Sequence, residues 1–367
     1  MSDDVGPAPE AGTDAGSTAT ADGSAGGPLA GRPVLPVLGL LMLAVAAAFA
    51  FTPLVVNVPG WLLVFLEVGI LIVLYGVLVL GLNLEYGFTG LVNFGHVVFF
   101  AVGAYATAIL AAENPFAGVG LGVPWPAAVL VGVVLAALLG VVLGLTSLRL
   151  RDDFLAIVTL ATAEIFHDLF AAFRSLTGGN VGLGGVPQPI KDLTANAETN
   201  LFVTLLVFGA LLVGTYGLIQ RLVTAPYGRV LRAVRADELV ANSMGKNPFT
   251  YKMQSFVYGS ALAGLAGGLF ALFNGAVAPG FFTINVTVIV WIGMLLGGPA
   301  RNRAVLFGLA LIMSLQLFTR FFSGIGPITQ TDFGSIRLMV IGLILVVVIR
   351  YKPEGIFGDP QELGVDQ

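Results

Sequence analysis

Long apolar runs dominate the sequence and restrict the folds open to it. Ten such runs lie at roughly 33–56, 61–82, 92–112, 125–148, 154–173, 201–221, 252–273, 283–298, 304–322 and 336–350. A helix needs about 20 apolar residues to cross the hydrocarbon of a bilayer. Since 57% of the residues are hydrophobic and only 10% are charged, the sequence predicts an all-α, polytopic membrane protein of about ten transmembrane or partly re-entrant helices.

The basic residues support this threading of the chain. With a cytoplasmic N-terminus, thirteen of the seventeen Lys and Arg residues lie on the cytoplasmic side, and the four outside are Arg174, Lys191, Arg320 and Arg337. Basic residues near the ends of spans are retained in the cytoplasm. We therefore predict a multi-pass protein of the cell membrane with both termini cytoplasmic. The formal charge of -4 gives no basic footprint for nucleic acid.

Composition divides the chain into three regions. Residues 1–32 are rich in Gly, Ala, Ser, Thr and Pro, with five acidic residues and no base before Arg32, which predicts a disordered acidic tail because such a segment cannot bury a core. Residues 33–352 are predicted to form the transmembrane domain, which is expected to contain inverted repeats. Residues 353–367 are predicted to form a cytoplasmic tail.

A basic loop at 222–251 is predicted to carry a short helix. Within it, the sequence RADELVANSMGKNP marks both helix ends. Asp237 can cap the N-terminus with a side-chain oxygen, Gly245 suits the left-handed residue just past the end, and Pro248 is expected to prevent continuation. A small ordered helix at the inner face of the membrane suits a partner protein.

Two apolar segments are not ordinary spans. GLNLEYGFTGLVNFGHVVFFAVGAY, from Gly81 to Tyr105, contains several glycines and polar residues, and the segment 283–298 ends in Gly297 and Gly298. Irregular backbone at membrane depth is tolerated only where protein shields it or a wet cavity adjoins it. Two interrupted segments in corresponding halves are typical of inverted-repeat transporters.

A second polar group lies in the run at 154–173. Glu164, His167 and Asp168 fall on one helical face, at i, i+3 and i+4, and such groups should face protein or water. They are either a proton relay or polar substrate contact, or a satisfied pair in which His167 bridges the carboxylates or Asp168 reaches Arg174. The satisfied pair is favoured, because no second relay group is evident in a neighbouring span.

Motifs for catalysis, metal binding and nucleotide binding are not evident. His96 and His167 are the two histidines and the chain has no cysteine, so a metal site is not expected. No GxSxG, HExxH or phosphate loop occurs in the sequence. We therefore expect a chain that is not an enzyme and binds neither ATP nor another cofactor.

Five stretches in succession resemble the LivM-type permeases of ATP-driven branched-chain amino-acid importers. They are GLNLEYGFTGLVNFGHVVFFAVGAY, LRLRDDFLAIVTLATAEI, TGGNVGLGG, YGRVLRAVRADELVANSMGKNPFTYKMQSFVYGSALAGLAGGLFA and YKPEGIF. In that family the segment resembling Asp237 to Gly245 is the coupling helix that docks on an ATPase subunit. The resemblance implies an ATPase-coupling role for Arg235, Asp237, Glu238, Ala241, Met244 and Gly245. LLGGPARNRA, from Leu295 to Ala304, departs from the family's usual Leu-Gly-Gly-Met-Gly stretch.

The resemblance implies an importer subunit for leucine, isoleucine and valine. Its partners would be a LivH-type permease, two ABC ATPase subunits that use the ATP, an external substrate-binding protein and membrane lipid. The predicted pathway residues are Asn83, Gly87, Asn93, Gly95 and His96, with a counterpart near Val288 to Gly298. The alternatives are a permease for urea, short amides or other amino acids, a stand-alone proton-coupled transporter, and an intramembrane enzyme.

Overall fold

The computed structural model describes residues 60–113, 119–194, 196–321, 330–352 and 354–357. The predicted span at 33–56, the predicted tail at 1–32 and residues 358–367 lie outside the described residues.

The described part of the chain is almost entirely helical. Its α-helices are α1 (Gly60–Leu82), α2 (His96–Ala111), α3 (Trp125–Ser147), α4 (Asp152–Ala172), α5 (Arg174–Thr177), α6 (Pro189–Asp192), α7 (Ala197–Thr224), α8 (Pro226–Ala236), α9 (Glu238–Ser243), α10 (Pro248–Asn274), α11 (Ile284–Gly297), α12 (Asn302–Phe321) and α13 (Gln330–Tyr351). A π-helical turn, Asn83–Gly87, continues α1, and single 3-10 turns occupy Gly179–Val181 and Pro279–Phe281. Two short strands, β1 (Leu183–Gly184) and β2 (Ala276–Val277), pair antiparallel with Leu183 opposite Val277.

Nine apolar helical stretches match the nine predicted runs that the structure describes. Six are long and apolar enough to cross a membrane: Leu63–Gly87, Trp125–Ser147, Asp153–Ala172, Ala197–Thr224, Pro248–Asn274 and Pro279–Gly297. The shorter three are His96–Ala111, Asn302–Gln316 and Met339–Val348. The prediction of an all-α, multi-pass membrane protein is confirmed.

Helix α10 lies at the centre of the bundle. It has the largest buried share of the six long spans, 67% of its most apolar window, whereas α4 has the smallest, 17%. Small residues let α10 approach α2 backbone to backbone: a Cβ on Gly267 would lie 1.9 Å from the Phe100 carbonyl oxygen, and one on Gly103 would lie 2.1 Å from that of Gly264. Close approach through small residues is how helices gain packing energy in lipid, where no hydrophobic force drives them together.

Candidate functional site

The first interrupted segment contains an irregular turn at the end of α1. The helix widens into the π-helical turn, and Leu91 N donates to the Glu85 carbonyl oxygen at 3.0 Å across the bend that follows. Gly90 adopts a φ of 77°, a conformation that favours glycine. The chain then enters α2 at His96. Single π-turns within α-helices are frequently found at functional sites.

A buried carboxylate and a buried imidazole face each other inside this segment. Glu85 is 0% exposed and His96 is 1% exposed, and Glu85 Oε1 lies 3.4 Å from His96 Nδ1. Asn93 Nδ2 donates to the other oxygen, Oε2, at 2.8 Å. His96 Nε2 lies 3.2 Å from the Leu78 carbonyl oxygen; because a carbonyl only accepts, this nitrogen carries a proton.

The remaining two atoms of the pair face each other without another partner. Glu85 Oε1 and His96 Nδ1 are both fully buried and have no other hydrogen-bond partner. An ionised carboxylate oxygen and the second nitrogen of a neutral imidazole are both acceptors, and facing each other in the interior they would leave two polar groups unsatisfied.

Substitution of Glu85 tests how much these buried contacts stabilise the protein. Glu85→Gln should retain most of the stability, because its amide nitrogen can donate to His96 Nδ1 while its oxygen accepts from Asn93. Glu85→Ala leaves both partners unsatisfied and should destabilise the protein by about 2–5 kcal/mol. Thermal unfolding of the purified variants in detergent measures the difference. Equal losses for the two variants would show that hydrogen bonding by the side chain at position 85 contributes little to stability.

Asn83 connects the first interrupted segment to the residues that follow the second one. Its Nδ2 donates to Asn302 Oδ1 at 2.9 Å, and its Oδ1 accepts from the Ala300 backbone N–H at 2.9 Å. Gly87 is required beside it, since a Cβ there would lie 2.0 Å from Asn83 Oδ1. The π-helical turn is therefore bonded directly to the start of α12 and the loop that precedes it.

Helix α11, the second interrupted segment, contacts the same region. Trp291 Nε1 donates to the Asn93 carbonyl oxygen at 3.0 Å, and the Val97 backbone N–H donates to Thr287 Oγ1 at 3.1 Å. Gly95 packs against α4, where a Cβ would lie 2.6 Å from the Thr159 carbonyl oxygen. The structure thus brings both interrupted segments together around one polar cluster.

The predicted pathway residues all lie inside this cluster or beside it. Buried within the chain are Asn83, Gly87, Asn93, Gly95 and His96. Their polar side chains bond to Asn302, to Glu85 and to nearby backbone groups. That they line a translocation pathway stays a prediction.

The loop at 222–251, the predicted coupling loop, has the capped helix expected from the sequence. Asp237 Oδ1 accepts from the backbone N–H groups of Leu239 and Val240, at 2.7 and 3.1 Å. Gly245 adopts a φ of 73° just past the end of α9. Both predicted helix ends are confirmed. The expected role of Pro248 is wrong, because α9 has already ended at Ser243 and Pro248 begins α10.

Helix α9 presents apolar side chains to its surroundings. Leu239 is 80% exposed and Met244 is 73% exposed, whereas Ala241 is buried against the rest of the loop. Glu238 forms an ion pair with Lys252 on α10, which ties α9 to the central helix. The ion pair therefore holds α9 against α10, while Leu239 and Met244 remain exposed.

The coupling loop also contacts the π-helical turn. Arg235 Nη1 donates to the Gly87 carbonyl oxygen, and its guanidinium carbon lies 5.8 Å from the centre of the Tyr86 ring. From α10, Ser255 Oγ donates to the Leu84 carbonyl oxygen at 2.8 Å. The helices that flank α9, α8 and α10, thus connect it to the irregular backbone at the end of α1.

Tyr227 anchors the beginning of α8 in an aromatic cluster. Burial raises the pKa of its phenol, and Tyr258 and Tyr251 raise it further. The rings of Tyr251 and Tyr258 lie 5.7 and 6.5 Å from it, centre to centre. The Tyr227 hydroxyl therefore stays neutral at physiological pH and packs as an aromatic group.

The polar residues of α4 do not form the pairing that was favoured from the sequence. Glu164 and Asp168 are exposed and His167 is half-buried, and His167 Nδ1 has no hydrogen-bond partner. In the part of the chain that the structure describes, His167 does not bridge the carboxylates and Asp168 does not contact Arg174. The predicted pairing is absent because Glu164 and Asp168 lie on the exposed side of α4, whereas the buried Nδ1 of His167 is turned toward a small cavity beside α2. Among the described residues, no cluster of three or more His, Asp or Glu could hold a metal.

Comparison with known proteins identifies the family. The sequence model described as "Branched-chain amino acid transport system / permease component" matches residues 64–349. The chain belongs to this family. Against this permease, the high-affinity branched-chain amino acid transport system permease protein LivM of Escherichia coli (strain K12) is 32% identical over 79% of the chain and 69% of LivM.

Two further relatives of this branched-chain amino acid permease are a second LivM-type protein and a LivH protein. A probable LivM permease of Methanocaldococcus jannaschii is 27% identical over 77% of this chain and 90% of its own length. LivH of Escherichia coli (strain K12), named as a permease protein of the same type of system, is 24% identical over 78% of this chain and 92% of LivH. No solved structure matches the chain.

Proposed function

We propose that this chain is one of two permease subunits in an ATP-driven importer of branched-chain amino acids. A LivH-type permease would complete the pathway, two ABC ATPases would use the ATP, and an external binding protein would deliver leucine, isoleucine or valine. The observation that carries the proposal is α9, a capped helix whose Leu239 is exposed, together with the exposed Met244 that directly follows it. The names of the relatives support the substrate class.

Movement of α9 would be conveyed to the polar cluster by two sets of contacts. Movement of an ATPase bound to Leu239 and Met244 would displace Arg235, which is bonded to the π-helical turn at Gly87. It would also displace Glu238 and its partner Lys252 at the start of α10. Alternating access then consists of a shift between two arrangements of the bundle, driven by closure of the ATPases.

A second permease would also account for the outward face of α4. Charged side chains in a span are costly in hydrocarbon and normally face protein or a water-filled cavity. Glu164 and Asp168 are exposed on the least buried long span of this chain. A partner permease packed on α4 would shield them or form an aqueous pathway along them.

Reconstitution in liposomes tests the proposed function. Uptake of labelled leucine should require this chain, the second permease, the ATPases, the binding protein and ATP together, and a protonophore should leave it unchanged. Unlabelled isoleucine and valine should compete, whereas urea and acetamide should not. Uptake by this chain alone that disappears on collapse of the proton gradient would instead support a proton-coupled transporter using Glu164, His167 and Asp168.

A further inference from the structure

A basic cavity of about 540 Å³ lies at the end of the bundle that carries the coupling loop. Its walls come from the last turns of α7, from α8, from the start of α12 and from Phe357. Three arginines line it, Arg232, Arg301 and Arg303, and no Asp or Glu is among its described lining residues. Arg301 and Arg303 belong to the stretch LLGGPARNRA, which departs from the LivM pattern.

Two of the arginines have unused hydrogen-bond donors. Arg232 donates to the Val223 carbonyl oxygen at 3.2 Å and lies over the Phe88 ring, and Arg303 Nε donates to Tyr216 Oη at 3.0 Å. These partners are neutral, and a guanidinium has five N–H donors. The cavity therefore has positive charge and free donors, the combination that binds phosphate or carboxylate groups.

The start of α12 adds to the positive potential. This helix of 20 residues begins at Asn302, so its first backbone N–H groups and the positive end of its dipole lie at the cavity wall. Asn302 itself is held in place, because its Nδ2 donates to Gln220 Oε1 at 3.0 Å. The anion site is thus supported by a bonded framework that spans α7 and α12.

An apolar stripe leads away from the cavity along α12. Arg303, Phe307 and Leu311 lie at i, i+4 and i+8 and therefore share one helical face. Phe307, which also lines the cavity, is 50% exposed, and Leu311 is 36% exposed. A soluble anion would leave this stripe unused, whereas a phospholipid has both a phosphate and acyl chains.

We propose that the cavity binds the headgroup of an anionic phospholipid. Its phosphate contacts Arg232 and Arg303, and one acyl chain lies along Phe307 and Leu311. Basic pockets between transmembrane helices on the cytoplasmic side are suited to anionic headgroups. A lipid bound there would contact both α8 of the coupling loop and α12. The lipid composition of the membrane would therefore affect the position of the loop relative to the bundle.

Retention of phosphatidylglycerol by the purified importer tests the lipid site. The double variant Arg232→Gln/Arg303→Gln should retain about tenfold less of this lipid than the unaltered protein, as quantified by mass spectrometry. Arg229→Gln is the matched control, because Arg229 is exposed on the same helix and does not line the cavity. Added phosphatidylglycerol, but not phosphatidylcholine, should raise the thermal unfolding temperature of the unaltered and control proteins only. Equal retention in the double variant would overturn the proposal.

Two further measurements distinguish the alternatives. Inorganic phosphate that raises the unfolding temperature as much as phosphatidylglycerol would show a soluble-anion site and overturn the lipid assignment. If the double variant does not fold, the single variant Arg303→Gln decides the question, since it loses one hydrogen bond to Tyr216. It should retain several-fold less phosphatidylglycerol, and full retention would refute the proposal.

Discussion

Gly267→Val should prevent the transmembrane bundle from assembling in its native form. A Cβ at this position would lie 1.9 Å from the Phe100 carbonyl oxygen and 2.8 Å from the Ala104 backbone nitrogen. Both neighbours are backbone atoms of α2, so no side-chain rotation relieves the overlap and the two helices must move apart. We expect a loss of several kcal/mol, a large part of the roughly 5–15 kcal/mol that stabilises a typical protein.

A glycine in an open position provides the control for this prediction. Gly209 lies in α7, and a Cβ there would meet nothing within 4 Å. Gly209→Val changes helix propensity by the same small amount as Gly267→Val. The difference in stability between the two variants therefore measures the steric clash between α10 and α2. The yield of monodisperse protein in detergent and its unfolding temperature should fall sharply for Gly267→Val alone. Similar values for both variants would show that close contact between α2 and α10 is dispensable.

Local features of the sequence predicted local structure well. The ends of α9 follow from Asp237 and Gly245, because a cap and a left-handed residue depend only on their immediate neighbours. The apolar runs predict the spanning helices for a similar reason, since length and hydropathy decide whether a segment can cross a bilayer. The incorrect role for Pro248 arose because proline both stops one helix and suits the first turn of the next.

Long-range pairings were beyond sequence reasoning. The contact between Glu85 and His96 is not predicted from the sequence, since no helical spacing indicates a contact across the turn at Gly90. Arg232 and Arg303 belong to different helices, so the basic cavity depends on the fold. The expected pairing of His167 and Asp168 failed because helical periodicity places residues on one face without showing whether that face points inward.

The polar cluster shows a further limit of the sequence. Polar residues within an apolar segment must be satisfied by protein or by water, and either arrangement meets that requirement. In this structure the amides of Asn83 and Asn93 are satisfied by protein, and His96 Nε2 bonds to the Leu78 carbonyl oxygen. A pathway along them requires that some of these bonds exchange for water or substrate when the bundle changes conformation.

The proposal that α9 docks on an ATPase subunit makes a second prediction of large effect. Leu239→Asp/Met244→Asp should reduce ATP-driven leucine uptake at least tenfold, because two exposed apolar contacts would be replaced by charges that cannot enter an apolar groove. Glu238→Arg should uncouple ATP hydrolysis from uptake, since it breaks the ion pair with Lys252. The unfolding temperature should change little in either case, because the substituted side chains are largely exposed.

Recovery of the ATPase subunits with the purified permease separates docking from folding. Leu193→Asp is a matched control, because Leu193 is 72% exposed and lies outside the coupling loop. It should still recover the ATPases, whereas Leu239→Asp/Met244→Asp should lose them. Normal recovery and normal uptake in that double variant would count against α9 as the docking element. Loss of recovery together with a lowered unfolding temperature would instead assign Leu239 and Met244 a structural role.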